Sequence, residues 1–484
     1  LRIGKKQLGY LLGPLLFVFV MFLPPPQGMT VEGKAVLAIT LWIATWWITQ
    51  PIPIPATALL PIVLMPATEV LTSKEVTSNY ANPLIYIFLG GFMIALSMER
   101  WQLHKRLALF ILSKIGSDPA KLVLGFMATT AFLSMWISNT SATMMMIPIG
   151  SAVISQMSPL VSKGEKEDNF GTALMLGIAY SASVGGIATL IGTPPNIVFA
   201  GIFRSLYGID IGFAQWMLFG FPLAVVGVLL IWLYLTRRAY PLSTEEIQGA
   251  SEVISSELKK LGRMSYEEKA ILVVFVLVAF SWITRPFLIN AFLPMIDDAT
   301  IAIAGAILLF VIPRGLRRGQ FISDWSIADK LPWGTLILFG GGLALADGFS
   351  KSRLAAYLGE LVGLIHGAPL LVILLISVYG TIFLTEVTSN TATASILLPI
   401  MGTISVALGE NPVYLMVGVT VAASCAFMLP VATPPNAIVY GTGKVKAEQM
   451  AKAGLALNLA GGLLVSLYVF LLLPLLWGNV IKLF

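Results

Sequence analysis

Charge is scarce in this 484-residue chain: Asp, Glu, Lys and Arg together make up 11%, against roughly 25% in an ordinary soluble domain. So few charges cannot coat a water-exposed surface. Nor can they keep a chain that is 57% apolar from collapsing. A soluble globular protein and a disordered one are both excluded. Cysteine occurs once, at Cys425, which rules out a disulfide framework and a multi-thiolate metal site. Histidine occurs only as His104 and His366, too far apart for a local metal-ligand spacing. The alternation of apolar and polar residues that marks a transmembrane barrel is missing. The apolar runs are continuous, as over 8–24, 270–284 and 301–312.

Long apolar runs are what the sequence has instead. A helix needs about 20 mostly apolar residues to cross the hydrocarbon core. The sequence predicts an all-α polytopic membrane protein with about eleven crossings, over 8–24, 33–49, 53–68, 82–98, 171–206, 213–236, 270–290, 298–313, 333–347, 413–440 and 451–478. Two further apolar stretches, 122–158 and 370–407, each carry a polar Ser-Asn-Thr in the middle, and each fits two half-length helices. They read as re-entrant hairpins. With a cytoplasmic N-terminus, 23 of the 30 basic residues fall on the inner side, which is the positive-inside bias. This orients the chain in the cell membrane with its C-terminus outside. It also explains the net charge of +6 without nucleic acid.

The chain repeats itself in blocks. Phe88, Gly90 and Gly91 recur 251 residues on as Phe339, Gly341 and Gly342. Ser138-Asn139-Thr140 recurs as Ser389-Asn390-Thr391, and Pro148-Ile149 as Pro399-Ile400, at the same offset. Thr193-Pro194-Pro195-Asn196 recurs 240 residues on as Thr433-Pro434-Pro435-Asn436. The helix count runs the two Gly-Gly helices in opposite directions, which makes the repeat inverted, an architecture common in secondary transporters. Gly-Gly and Pro-Pro could serve close helix packing alone, but that leaves the polar triplets unexplained.

Proline lacks an N–H and disfavours helix at the residue before it. The spans 171–206 and 413–440 should therefore break near Gly192 and near Ala432. A break frees carbonyls that suit a cation and N–H groups that suit an anion. The hydroxyls and amides of the hairpin tips can serve either ion. Pairing each tip with a broken helix gives two oxygen-rich sites, with room for an anion between them. No basic residue is expected in this pocket, so dipoles and co-bound cations would have to neutralise a dianion. Glu386 and Asp347 lie inside apolar stretches and are candidates on that ground. The repeat counterpart of Glu386 is Met135, so the symmetry gives it no ligand role, and it reads as a satisfied structural carboxylate. Asp347 lies late in its span, near the interface. Residues 244–260, rich in Ser and Glu, should lie at the cytoplasmic surface. No nucleophile–base pair or metal set points to an enzyme.

These duplicated blocks resemble the divalent anion/sodium symporter family, which includes dicarboxylate, citrate and sulfate carriers. The resemblance covers most of the chain. It implies an elevator-type carrier, a homodimer in the lipid bilayer, with no cofactor and with sodium as the coupling ion. It implies one sodium at Ser134, Ser138, Asn139 and the Gly192 carbonyl, and a second at Thr385, Ser389, Asn390 and the Ala432 carbonyl. The substrate would meet Ser138, Asn139, Thr140, Thr193 and Pro194 from one half and Ser389, Asn390, Thr391, Thr433 and Pro434 from the other. It divides the chain into scaffold (1–118 and 266–368) and moving domain (119–265 and 369–484). The amphipathic stretches 99–116 and 348–366 would be the connecting arms. The function implied is sodium-coupled import of C4-dicarboxylates such as succinate, malate or fumarate. A sodium-independent dicarboxylate or 2-oxoglutarate exchanger of the same fold is the alternative.

Overall fold

The computed structural model describes residues 5–157, 165–242, 247, 249–314, 319–362 and 369–483. Among them the secondary structure is helical, apart from one isolated bridge between Pro313 and Phe321. Among the described residues six helical stretches are long and apolar enough to cross a membrane: Val31–Thr49, Ser73–Arg100, Phe213–Ala239, Tyr266–Phe292, Asn390–Ala407 and Ala447–Leu476. The other apolar stretches are shorter, paired or interrupted.

The helices α1 (Lys5–Phe22) and α2 (Val31–Thr49) form a packed pair. The buried Lys34 closes the end of α1 by donating to the carbonyls of Met21 and Leu23, each at 2.9 Å. The predicted crossing 53–68 is not one helix. Pro53, Pro55 and Pro61 divide it into a turn, Ile54–Thr57, and the short α3 (Leu60–Ala67). Eight helical residues rise only about 12 Å.

Next come α4 (Pro83–Arg100), the arm α5 (Leu103–Leu112), the hairpin α6 (Pro119–Ser134) and α7 (Asn139–Met157), and the broken pair α8 (Glu165–Gly186) and α9 (Pro194–Tyr207). The chain continues through α10 (Phe213–Tyr234), α11 (Ala250–Lys260), α12 (Tyr266–Thr284), α13 (Asp298–Val311), α14 (Trp333–Lys351) and the arm α15 (Leu354–Val362). It ends with the hairpin α16 (Leu370–Thr385) and α17 (Asn390–Ala407), the broken pair α18 (Pro412–Ala422) and α19 (Pro434–Gly441), and α20 (Ala447–Leu476). His366 lies outside the described residues.

The two halves reuse the same backbone devices. Gly90 of α4 lies flush on Ala302, where a Cβ would stand 2.6 Å from the Ala302 carbonyl carbon. Its repeat mate Gly341 lies as close to Ala58. At these two positions glycine serves close helix packing. Phe88 and its mate Phe339 touch each other, ring centroids 5.2 Å apart. The corners that lead into α5 and α15 each hold a left-handed non-glycine residue 251 positions apart, Gln102 at φ 57° and Arg353 at φ 56°. Such a conformation costs on the order of 1 kcal/mol and persists where packing over-determines it.

The connection between the halves is docked on the first arm. Arg106 reaches Glu268 with two hydrogen bonds, at 2.7 and 3.1 Å, and also donates to the carbonyls of Gly262 and Leu261. Lys105 pairs with Glu257 of α11 at 3.0 Å. Phe280, Val273 and Leu277 of α12 are exposed, the face an apolar helix turns to lipid.

Candidate functional site

Each hairpin turns on four residues between its helices. Ser134 ends α6 and Asn139 starts α7, while Thr385 ends α16 and Asn390 starts α17. The Ser134 hydroxyl lies 2.5 Å from Asn139 Oδ1 and 2.7 Å from the Ala182 carbonyl. Thr385 repeats this with Asn390 Oδ1 at 2.7 Å and the Ala423 carbonyl at 3.2 Å. One hydroxyl proton faces two oxygens in each case. Both clusters therefore hold more lone pairs than donors, which suits a hard cation.

The broken helices unwind further than predicted. The first gap runs over 187–193 and the second over 423–433, so each helix ends well before the expected break. The restarts are at Pro194 and Pro434, where Thr193 and Thr433 are extended at φ −144° and −138°. The Asn that follows each Pro-Pro pair permits the longer gap. Asn196 donates to the carbonyls of Gly186 at 3.1 Å and Thr189 at 2.7 Å. Asn436 donates to the matched carbonyls of Ala426 and Leu429, each at 3.1 Å. These carboxamides replace the hydrogen bonds that an unbroken helix would have made. The recurrence of both Asn residues at offset 240 was the available signal.

The two tips and two gaps meet around one cavity of about 810 Å³. Ser138, Asn139, Thr140, Gly192, Thr193 and Pro194 line it from the first half. Ser389, Asn390, Thr391, Ala432, Thr433 and Pro434 line it from the second. Ser134 and Thr385 lie fully buried behind this lining. A Cβ placed on Gly186 would stand 2.8 Å from Asn139 Oδ1 and 2.9 Å from the Gly192 carbonyl oxygen. Two of the oxygens expected to hold the first sodium thus converge on a space that only glycine leaves open. The residues present fit a small cation.

The rest of the lining corrects one expectation. Lys6 and Lys330 line this cavity, together with Gln50, Glu99 and Thr335, so it is not free of basic residues. They come from helix ends and loops, where no intramembrane run flagged them. Ser141 and Thr388 each add a hydroxyl that its repeat counterpart (Ala392 and Ile137) lacks. Val387 and Val431 also line the cavity, at 52% and 81% exposure.

Glu386 is buried, and its carboxylate accepts the N–H groups of Met428 (2.9 Å) and Leu429 (3.0 Å) and the Asn458 amide (2.7 Å). It is a satisfied carboxylate, as its lack of a repeat mate implied. Asp347 pairs with Lys351 at 3.6 Å and accepts from Asn79 at 3.4 Å, in a network that includes Glu75. Cys425 is buried among apolar residues, and His104 contacts the Met98 carbonyl at 3.2 Å.

The chain matches the family described as "Sodium:sulfate symporter transmembrane region" over residues 5–484, and it belongs to that family. It is 48% identical over 476 residues to the "Sodium-dependent dicarboxylate transporter SdcS" of Staphylococcus saprophyticus, covering 97% of this chain and 92% of the relative. The protein of the same name from Staphylococcus aureus (strain bovine RF122 / ET3-1) is 48% identical over 479 residues, covering 98% and 92%. Among solved structures, the YdaH transporter of Alcanivorax borkumensis is similar at TM-score 0.55 and 16% identity, covering 84% of this chain and 88% of that one. MtrF of Neisseria gonorrhoeae is similar at TM-score 0.58 and 15% identity, covering 97% and 95%. These two likenesses show the fold alone.

Proposed function

We propose that the chain is a sodium-coupled symporter that imports C4-dicarboxylates such as succinate, malate and fumarate. The observation that carries this reading is the pair of repeat-related oxygen clusters flanking one cavity. Ser134, Ser138, Asn139 and the Gly192 carbonyl would hold one sodium. Thr385, Ser389, Asn390 and the Ala432 carbonyl would hold the other. The dianion would lie between them, on the donors of Ser138, Asn139, Thr140 and Thr193 and of Ser389, Asn390, Thr391 and Thr433, packed against Pro194 and Pro434. The tips carry no formal positive charge, so two sodium ions beside the substrate would balance it. The chain's own part is to fix those oxygens and exclude bulk water.

If the charge bias sets the orientation, the face carrying Lys6, Glu99 and Lys330 is cytoplasmic, and this supports reading the conformation as inward-open. In our reading the inverted repeat lets residues 119–265 and 369–484 move as one body against a scaffold of 1–118 and 266–368. The arms α5 and α15 would carry the motion, and the scaffold would form a homodimer. The SdcS relatives are named for sodium-dependent dicarboxylate transport, which supports the substrate and the ion.

Uptake of labelled succinate into protein-loaded vesicles tests this, with and without a sodium gradient and with counterflow in the same preparation. Sodium should raise succinate affinity about 5–150-fold, and succinate should raise sodium affinity by the same factor. Binding indifferent to sodium, with transport only against internal dicarboxylate, would replace symport by exchange.

A further inference from the structure

The two halves tie hairpin tip to unwound gap at the same place, but with opposite polarity. In the first half Thr189, in the gap, donates its hydroxyl to the Met135 carbonyl at the tip at 2.6 Å. In the second half the matched pair is Glu386 and Leu429, offset by 251 and 240 respectively. Here the tip supplies the side chain and the gap supplies the backbone N–H, at 3.0 Å.

Glu386 acts together with Asn458 of α20. Asn458 donates to Glu386 at 2.7 Å and accepts the Phe427 N–H at 3.2 Å. Three successive N–H groups, of Phe427, Met428 and Leu429, are thus held by this couple. One turn before Asn458, Gly454 leaves no room for a side chain against the Phe427 carbonyl. The gap backbone is pressed onto α20 there. The Leu429 carbonyl in turn accepts the Ala432 N–H at 3.1 Å. Fixing Leu429 therefore fixes Ala432.

We infer that Glu386, braced by Asn458, is a positioning residue for the second sodium site, holding the gap so that the Ala432 carbonyl faces Thr385 and Asn390. The inference rests on the symport reading and assigns Glu386 no direct contact with the ion. It also accounts for the missing counterpart of Glu386: Thr189 does the same work from the other side of the contact.

The test uses the full-length protein in detergent and in vesicles. Sodium-dependent thermal stabilisation is read beside succinate uptake, with choline as the replacement ion. In Glu386→Met, the sodium concentration for half-maximal stabilisation should rise about tenfold, the usual lower range for losing an outer-sphere partner of a metal ligand. The sodium cooperativity of uptake should fall. Adding Leu429→Thr transplants the first half's tie and should return half-saturation to within about threefold of the parent, a fraction of one hydrogen bond. Should Glu386→Met fail to fold, Asn458→Ala keeps the carboxylate, removes its brace and the acceptor of the Phe427 N–H, and should raise half-saturation about threefold on the same grounds. Unchanged sodium half-saturation with a uniformly lower melting temperature would overturn the inference, leaving Glu386 merely structural. A parent protein that sodium does not stabilise would overturn the symport reading itself, and this inference with it.

Discussion

Gly186 and Gly192 close the first gap backbone against backbone: a Cβ on Gly192 would stand 2.9 Å from the Gly186 Cα. The second gap puts Ala426 and Ala432 at the matched positions. The gaps therefore share their carboxamide ties but not their width. The first has no room for a methyl where the second carries two.

Gly186→Ala follows from this contact. The new methyl would press on Asn139 Oδ1 and the Gly192 carbonyl, at 2.8 and 2.9 Å, and spread them. Sodium half-saturation should rise about tenfold or more, as for other changes beside metal ligands. Ala426→Gly, which only opens space, should change it far less. Sodium titration of thermal stability reads both, and equal effects would contradict the assignment of the first site.

The triplets carry the second prediction. Asn139→Ala and Asn390→Ala should each abolish succinate transport while the protein still folds. Each removes the acceptor of a buried hydroxyl and a donor for the substrate, at a cost of about 1–3 kcal/mol per unpaired group. Near-normal transport by both variants, at matched expression, would remove the site from these residues.

Much of this site was legible in the sequence because it is written twice. Ser138-Asn139-Thr140 and Thr193-Pro194 announce their partners by recurrence, and the structure brings all of them to one cavity. The Glu386–Asn458 contact joins residues 72 apart, one at a hairpin tip and one on a helix, and leaves no local pattern. The gaps are longer than the sequence predicts because proline marks where a helix restarts, not where the preceding one ends. Gly186 and Ala422 end their helices without a breaker of that kind. The division of 53–68 was hidden for the opposite reason. Its composition is apolar enough to cross, and hydropathy alone gives Pro53, Pro55 and Pro61 no weight.

The docked linker should matter for stability. Arg106 and Glu268 are both largely buried, with side chains 15% and 6% exposed. Arg106→Ala strands the carboxylate and should destabilise the protein by about 3 kcal/mol, read as the midpoint of thermal unfolding in detergent. Beside it, hydrogen bonds from Lys260 and Lys105 hold the Glu257 carboxyl below its ordinary value of 4.5. A lowered carboxyl pKa contributes stability that is present above the ordinary value and lost as pH falls through the lowered one. Protease cleavage within the linker should therefore increase as pH falls below that ordinary value and through the lowered one. Glu257→Gln should show that susceptibility already at neutral pH, with no further acid dependence. An acid response identical to the parent's would exclude Glu257 as its source.

The last prediction concerns the two conformations that an elevator requires. Ile191 is buried at 9% exposure, and its Cδ1 would touch a Cβ on Gly91 at 3.3 Å. Its repeat mate Val431 is 81% exposed, and the mate of Gly91 is Gly342. Trp136 likewise packs on Phe213 and Phe275, while its mate Val387 lines the cavity. An inverted repeat that changes sides should exchange these roles, with Val431 docking toward Gly342 as Ile191 leaves Gly91. In a Cys425→Ser background, Val431→Cys should react with a membrane-impermeant maleimide from the cytoplasm and be protected from outside. Ile191→Cys should show the reverse, and only under conditions that permit turnover. Lys330→Cys and Glu410→Cys serve as markers of the two sides, expected inside and outside respectively. Turnover matters because Ile191 is buried in the conformation described. Labelling of Ile191→Cys and Val431→Cys from the same side would reject the exchange of roles. Markers reacting from one side together would reject the inverted topology beneath it.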